Sequence, residues 1–421
     1  MPNAAPSPDT PSLRTGLLLT GGGARAAYQV GVLEAIADLR HACGARREPN
    51  PFPIITGTSA GAINAAALAC GADDFDRTVR RIARVWRQFH ASQVYGADSL
   101  SVMRSGARWL TLVSLGWALA RWRRVHPHSL LNNAPLAQLL EKLVPLQRVP
   151  HLIRAGHLRA LAVTASSYNS GLHVAFFDAG DAQEPWVHSL RKSARGPITH
   201  AHLLASSAIP LVFPATALPI DGHTEYFGDG SMRETSPLAP AIHLGARRLL
   251  VVGTSRAYEP PPAVPVGTQQ PYPSLAKVAG HALSNIFLDA LAVDVNQVQH
   301  INQALALLTP EQRSRSPMHP LELLVFVPSR SLDEEAARHV CDLPRSMRVL
   351  LSALGVPVNR PGDSDGALAS YLLFERAYTR RLMGLGRSDA LARRDEICAF
   401  FGWQDGGDPL RLVQYSTLSG T

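Results

Sequence analysis

Two short apolar runs near the start of the chain each break off at small residues and pass straight into an Ala-rich stretch. The first reads Leu17-Leu18-Leu19-Thr20-Gly21-Gly22-Gly23-Ala24-Arg25, the second Ile54-Ile55-Thr56-Gly57-Thr58-Ser59-Ala60-Gly61. A bounded apolar run reads as a buried strand, and the Ala-rich sequence after each run reads as a helix. Two strand–tight turn–helix junctions in succession demand an α/β layer fold with a largely parallel sheet. They also suggest chemistry. A serine framed by glycines on such a turn is pushed out past the sheet edge. Amides freed by a neighbouring glycine run can face an oxyanion held over that serine.

The rest of the chain continues the alternation to about residue 255. Gly16–Thr20, Pro53–Thr56, Arg159–Thr164, His173–Phe177 and Arg248–Gly253 read as strands, and Ala26–Leu39 and Gly61–Ala69 as helices. A Pro/Gly-rich stretch, Glu259–Pro273, reads as a linker or long surface loop. Helical sequence from His281 to Leu308 follows, then a strand-like Leu321–Val327, then further helical patterns from Leu332. The expected organisation is a tail over 1–15, a catalytic α/β domain over 16–258, and a mainly helical extension over 259–421 that packs on it. At 421 residues there is ample chain for one large core.

Composition narrows the partners. A net charge of +8 favours acidic surfaces. No zinc spacing, aromatic RNA-binding signature or long basic tract accompanies it, so nucleic acid is not an expected partner, and no cofactor or metal is called for. The four cysteines, Cys43, Cys70, Cys341 and Cys398, form no C-x-x-C pair and suit a reducing compartment. Residues 1–13 have neither a basic nor an apolar signal region, and no run is long enough to span a bilayer. A cytoplasmic protein is expected, with peripheral contact at the inner membrane surface as an option. The segment 108–124, apolar between Trp and Arg edges, suits either an interfacial or lid segment or a core helix with snorkelling arginines.

Ser59 needs a base, because a serine hydroxyl is a weak nucleophile. Two routes are open. His243, His281 and His300 all follow Asp229, an order compatible with a Ser–Asp–His triad. Alternatively Asp229, set between glycines in Phe227-Gly228-Asp229-Gly230-Ser231, serves directly. Three other Asp-Gly pairs, at Asp221, Asp365 and Asp405, read as plain turns. The pattern Gly21-x-Gly23-x-x-Ala26 also satisfies a dinucleotide-binding fingerprint, but the next strand ends in Gly57-Thr58-Ser59 and lacks the acidic residue that would hold a ribose.

Taken together these residues resemble the patatin-like phospholipase family. The shared features are Gly21-Gly22-Gly23-Ala24-Arg25 running on to Gly31-Val32-Leu33, the elbow Gly57-Thr58-Ser59-Ala60-Gly61, and Asp229-Gly230-Ser231. Further similar phrases are Ser129–Leu136, Ala205-Ser206-Ser207-Ala208-Ile209-Pro210 and Leu244-Gly245-Ala246. Ala26 and Ser231 depart from the family pattern, and neither removes a catalytic group. The resemblance implies a three-layer α/β/α sandwich and an acyl lipid substrate. It implies Ser59 as nucleophile, Asp229 as base and the amides of Gly21, Gly22, Gly23, Ala24 and Arg25 as oxyanion hole. The Arg25 side chain would order that loop, face a lipid phosphate or form a salt bridge. The competing reading is a non-catalytic lipid-binding protein on the same scaffold.

Overall fold

A computed structural model describes residues 14–96, 129–255, 275–353 and 366–403, with the backbone alone for 275–289 and 353. The segment 108–124, the stretch 259–273 and the turns at Asp365 and Asp405 lie outside the described residues. One ten-stranded sheet organises the molecule. Its parallel centre runs β10 (Glu322–Phe326), β9 (Arg248–Val252), β1 (Thr15–Leu19), β2 (Ile54–Thr58) and β3 (Ala160–Ser167). Beyond β3 the sheet turns mixed. β4 (His173–Ala179) pairs antiparallel to β3, and β6 (Arg191–Arg195) and β5 (Val187–His188) complete that edge. A hairpin of β7 (Thr216–Ile220) and β8 (His223–Asp229), turned at Asp221, joins through β8.

The apolar runs are continuous because the central strands are buried on both faces. Leu17, Leu19, Ile55, Val163, Leu250 and Phe326 belong to one core, while Leu18, Ile54, Ala162, Val251 and Leu249 belong to another. Over the first face lie α1 (Ala27–Ala42), α2 (Ala60–Ala69), α3 (Phe75–Arg87), α4 (Ala134–Leu143) and α5 (His200–Ser206). Over the second lie α6 (Ala239–His243) and part of the long α7 (Leu275–Ala306). The result is mixed α/β with helices around a mostly parallel sheet, as expected. The sheet starts at Thr15, one residue inside the stretch read as a tail, and α7 begins before the expected His281.

The C-terminal region is built into this architecture. Its strand β10 extends the sheet beside β9. Its helices α8 (Leu332–His339), α9 (Ala367–Leu372), α10 (Arg376–Ala392) and α11 (Arg394–Phe401) cover the first face. Tyr28 of α1 donates to Asp389 at 3.0 Å, and Arg387 pairs with Asp38 at 3.0 Å, so α10 is tied along α1. Cys43 and Cys398, far apart in sequence, lie with their sulfurs 3.7 Å apart.

Candidate active site

Strand register brings the site together. β2 occupies one edge of β3 as far as Thr58 opposite Thr164. β8 takes up the same edge one residue later, running the other way, with Asp229 opposite Ala165. The two strands therefore meet end to end: β8 delivers its last residue, Asp229, and β2 delivers the residue just past its end, Ser59, to one point. There the Ser59 hydroxyl donates to Asp229 Oδ2 at 2.6 Å. Both residues are buried, Ser59 at 1% exposure and Asp229 at 0%.

Ser59 adopts φ 56°, ψ −131°, a backbone that L-residues seldom adopt and that costs on the order of 1–3 kcal/mol. The surroundings impose it. Its amide donates to Ser206 Oγ at 2.9 Å, and its carbonyl accepts from Ala62 N–H at 2.9 Å as α2 begins. Gly61 lets α2 start hard against β1: a Cβ there would lie 2.2 Å from the Leu19 carbonyl oxygen. Gly230 serves the other partner, since a Cβ on it would lie 2.5 Å from the Thr164 carbonyl. The Asp-Gly pair is thus a close approach of β8 to β3, whereas Asp221-Gly222 only turns a hairpin.

Burial pushes the Asp229 carboxyl up to about 6, against the pull of hydrogen bonds from Ser59 and from Ser231 N–H at 2.9 Å. A second carboxyl stands nearby. Glu234 Oε1 accepts from Thr58 at 2.6 Å and Thr164 at 3.5 Å, and those threonine hydroxyls are 2.7 Å apart. Burial raises this group to about 7; the Thr58 bond opposes the rise and the charge on Asp229 adds to it. Neither Glu234 nor Ser206 stands out in the sequence reading, although Ser206 lies inside a phrase singled out there.

The glycine loop enters from β1. Gly23 to Ala26 form a single 3-10 turn, and the leading amides of such a turn have no acceptor along the chain. The Arg25 amide differs: it donates to the Gly22 carbonyl at 3.1 Å. Among the five expected oxyanion donors, Arg25 is thereby the one whose N–H is already engaged. Its side chain, 3% exposed, turns away into the C-terminal region. It donates to Ser370 Oγ at 2.8 Å, pairs with Asp333 and lies 4.0 Å over the Tyr371 ring. Of the roles open to Arg25, the structure selects the salt bridge that orders the loop. Thr254 donates to the Gly21 carbonyl, and Gly23 backs onto the Tyr371 carbonyl.

Beyond Ser59 lies an apolar cavity of about 90 Å³, with Gly23 and Ser59 at one end. Ile63, Trp86, Phe89, Leu140, Phe213 and Phe374 are among its walls. Of the three candidate histidines, the side chain of His281 lies outside the described residues, and the other two stand apart from the dyad. His243 stacks on Trp186 at 4.8 Å in a different pocket, and His300 is exposed. Among the described residues, no group of His, Cys, Asp and Glu could hold a metal ion, and no helix is long and apolar enough to cross a membrane.

The family model described as patatin-like phospholipase matches residues 17–242. The chain belongs to the patatin-like phospholipase family. Patatin-like phospholipases are serine-based lipid ester hydrolases, so membership carries the reaction class and makes lipid the substrate class. No curated protein matches the chain. Among solved structures it is similar to VipD from Legionella pneumophila, at 11% identity and a TM-score of 0.34, over 91% of this chain and 67% of that one. It is also similar to human GIVD cytosolic phospholipase A2, solved with methyl gamma-linolenyl fluorophosphonate and terbium chloride. There the identity is 14% and the TM-score 0.41, over 96% of this chain and 60% of that one.

Proposed function

We propose that this patatin-like chain is a phospholipase A or lysophospholipase that cleaves acyl esters through a Ser59–Asp229 dyad. One observation carries the reading: the 2.6 Å hydrogen bond from Ser59 to Asp229 at the head of an apolar cavity. Ser59 Oγ attacks the ester carbonyl carbon while its proton passes to Asp229 Oδ2. A carboxyl held at about 6 is a better proton acceptor than an ordinary aspartate and is still ionised at neutral pH. The oxyanion of the tetrahedral intermediate is met by amides of Gly21, Gly22, Gly23 and Ala24, each such donor being worth on the order of 3 kcal/mol. Asp229 returns its proton to the leaving alcohol, which departs and leaves an acyl-Ser59. Water, deprotonated by Asp229, then releases the fatty acid and restores the hydroxyl. The cavity walls take the acyl chain, and the dyad requires no histidine.

A fluorophosphonate probe tests the reading together with fatty-acid release from phosphatidylcholine and lysophosphatidylcholine. Labelling and release are both expected from the native chain and from neither Ser59→Ala nor Asp229→Asn. Full activity in Asp229→Asn would transfer the base role to a histidine, and labelling of a site other than Ser59 would end the proposal.

A further inference from the structure

Helix α3 carries a feature that the dyad does not use. Its sequence puts arginines at 77, 80, 81 and 84, which fall within a sector of about 100° on a 3.6-residue helix. All four are exposed. The opposite side of the helix is buried through Phe75, Val79, Ile82, Ala83 and Trp86. The acids around the start of α3 are occupied elsewhere. Asp73 pairs with Arg148, Asp76 with Arg40 and Arg46, and Asp74 caps the helix by accepting from Arg77 N–H at 3.0 Å. Glu34 is held by Arg87 at the far end. Among the described residues, none of the four guanidinium groups is in an ion pair.

This cationic face borders the cavity that begins at Ser59. Arg81 is itself part of the cavity wall, next to Ile82 and Val85. Near it the walls are only half-buried: Ile63 and Ala67 on α2, Val85 on α3, Leu139 and Leu143 on α4. The far wall adds no net charge, since Glu141 and Lys142 of α4 oppose one another. Among the described residues, an apolar slot with half-buried walls stands beside a row of unpaired arginines, the arrangement expected of a surface that rests on lipid headgroups.

We propose that the arginine face of α3 docks the protein on anionic phospholipid, with the slot between α2, α3 and α4 turned toward the lipid. The headgroup phosphates lie against Arg77, Arg80 and Arg84, and a single acyl chain enters past Arg81 toward Ser59. This rests on the lipid hydrolase reading but can fail separately from it.

The test uses the full chain carrying Ser59→Ala, so that binding is read without turnover. Vesicles of phosphatidylcholine alone are compared with vesicles containing phosphatidylglycerol, by co-sedimentation. The protein is expected to favour the anionic vesicles and to release them as salt rises from about 0.1 to 0.5 M. Arg77→Gln/Arg80→Gln/Arg84→Gln is expected to weaken anionic-vesicle binding by about a hundredfold. On the otherwise native chain, those three changes should leave hydrolysis of a soluble short-chain ester and the melting temperature unchanged. Native affinity in the triple variant, or salt-independent binding that ignores phosphatidylglycerol, would overturn the proposal. Binding to duplex DNA with no binding to vesicles would reassign the face to another polyanion. Loss of soluble-ester hydrolysis in Ser59→Ala with intact vesicle binding supports both proposals, and native hydrolysis in that variant sinks the dyad alone.

Discussion

The serine elbow and the glycine loop are the same kind of object, a strand–turn–helix junction, placed side by side on β2 and β1. They are held in opposite ways. The elbow is fixed by the α/β core around it: Gly61 against Leu19 of β1, Ser59 against Ser206 at the end of α5, and Thr58 against Thr164 of β3 and against Glu234. The loop is fixed from residues more than 200 positions away, by Thr254 on Gly21, Asp333 and Ser370 on Arg25, and Tyr371 behind Gly23. A nucleophile must sit in one strained conformation, and local sterics enforce that. On the proposed mechanism the loop amides that receive the oxyanion must be aimed, and that aim would be set by the region that completes the fold. A change at the elbow should therefore act on folding and chemistry together, whereas a change in the brace should act on chemistry first.

The sharpest separation is expected from Asp229→Asn. Turnover should fall by about a thousandfold or more, since this removes the proposed base for both acylation and deacylation. Stability should move the other way. A carboxyl raised from 3.8 to about 6 in the folded state binds its proton more tightly there than in the unfolded chain. It destabilises the fold as pH rises through that window and throughout the range above it, by on the order of 3 kcal/mol. The amide variant should thus melt higher than the native chain at pH 8 and show no such gain at pH 4. Thermal melts at the two pH values decide this, and an equal shift at both would contradict a strained, desolvated carboxylate. In the native enzyme, the main rise in activity should come as pH climbs through about 6.

Next in size is Gly61→Ala. A methyl group 2.2 Å from the Leu19 carbonyl must push α2 off β1, and a displacement of that kind costs on the order of 3 kcal/mol. Activity and melting temperature should fall together. By contrast Gly44→Ala, on a residue with open space about it, should lose no activity. Arg25→Lys should separate the two quantities. Lysine keeps the charge near Asp333 but cannot also reach Ser370 and stack on Tyr371, as the guanidinium does. About a 10- to 100-fold drop in kcat with little change in KM is expected, with probe labelling slowed to match. Intact kcat would mean that the loop holds its aim without the brace.

That contrast also explains what could be read from the chain. The central strands, both junctions and the residues Ser59 and Asp229 were legible because each is written in a short local pattern: an apolar run, a glycine frame, an Asp-Gly pair. Local patterning also separates the parallel centre from the helical C-terminal region. The pairing of β8 with β3 was not legible, because Phe227-Gly228-Asp229 looks like a turn until the register places it opposite Ala165. The brace was hidden for the same reason. Ser370 and Tyr371 carry no glycine frame or charge pattern of their own, and only the close packing of α9 against the glycine loop gives them a task. Arg25 showed its importance but not its direction, since a buried arginine and a phosphate-binding one look alike in sequence.

The smallest and most selective effect should come from Glu234→Gln. Glu234 is the elbow's own polar support, and it titrates just above its neighbour, at about 7 against about 6 for Asp229. Through the Asp229 transition it is mostly neutral, so the main acid limb of the rate profile should stay in place in the variant. Above about 7 the native enzyme acquires a second buried negative charge, which makes Asp229 a stronger base and should give a further rise in kcat of less than tenfold. Glutamine can still accept from Thr58 and keep the elbow in shape, but it cannot ionise. The second rise should vanish, and stability above pH 7 should improve slightly, because a carboxyl with a raised folded-state value is destabilising once ionised. Superimposable native and variant profiles would show that Glu234 props the strand end without touching the chemistry. The elbow would then be purely steric, and electrostatic tuning of the site would rest on the burial of Asp229.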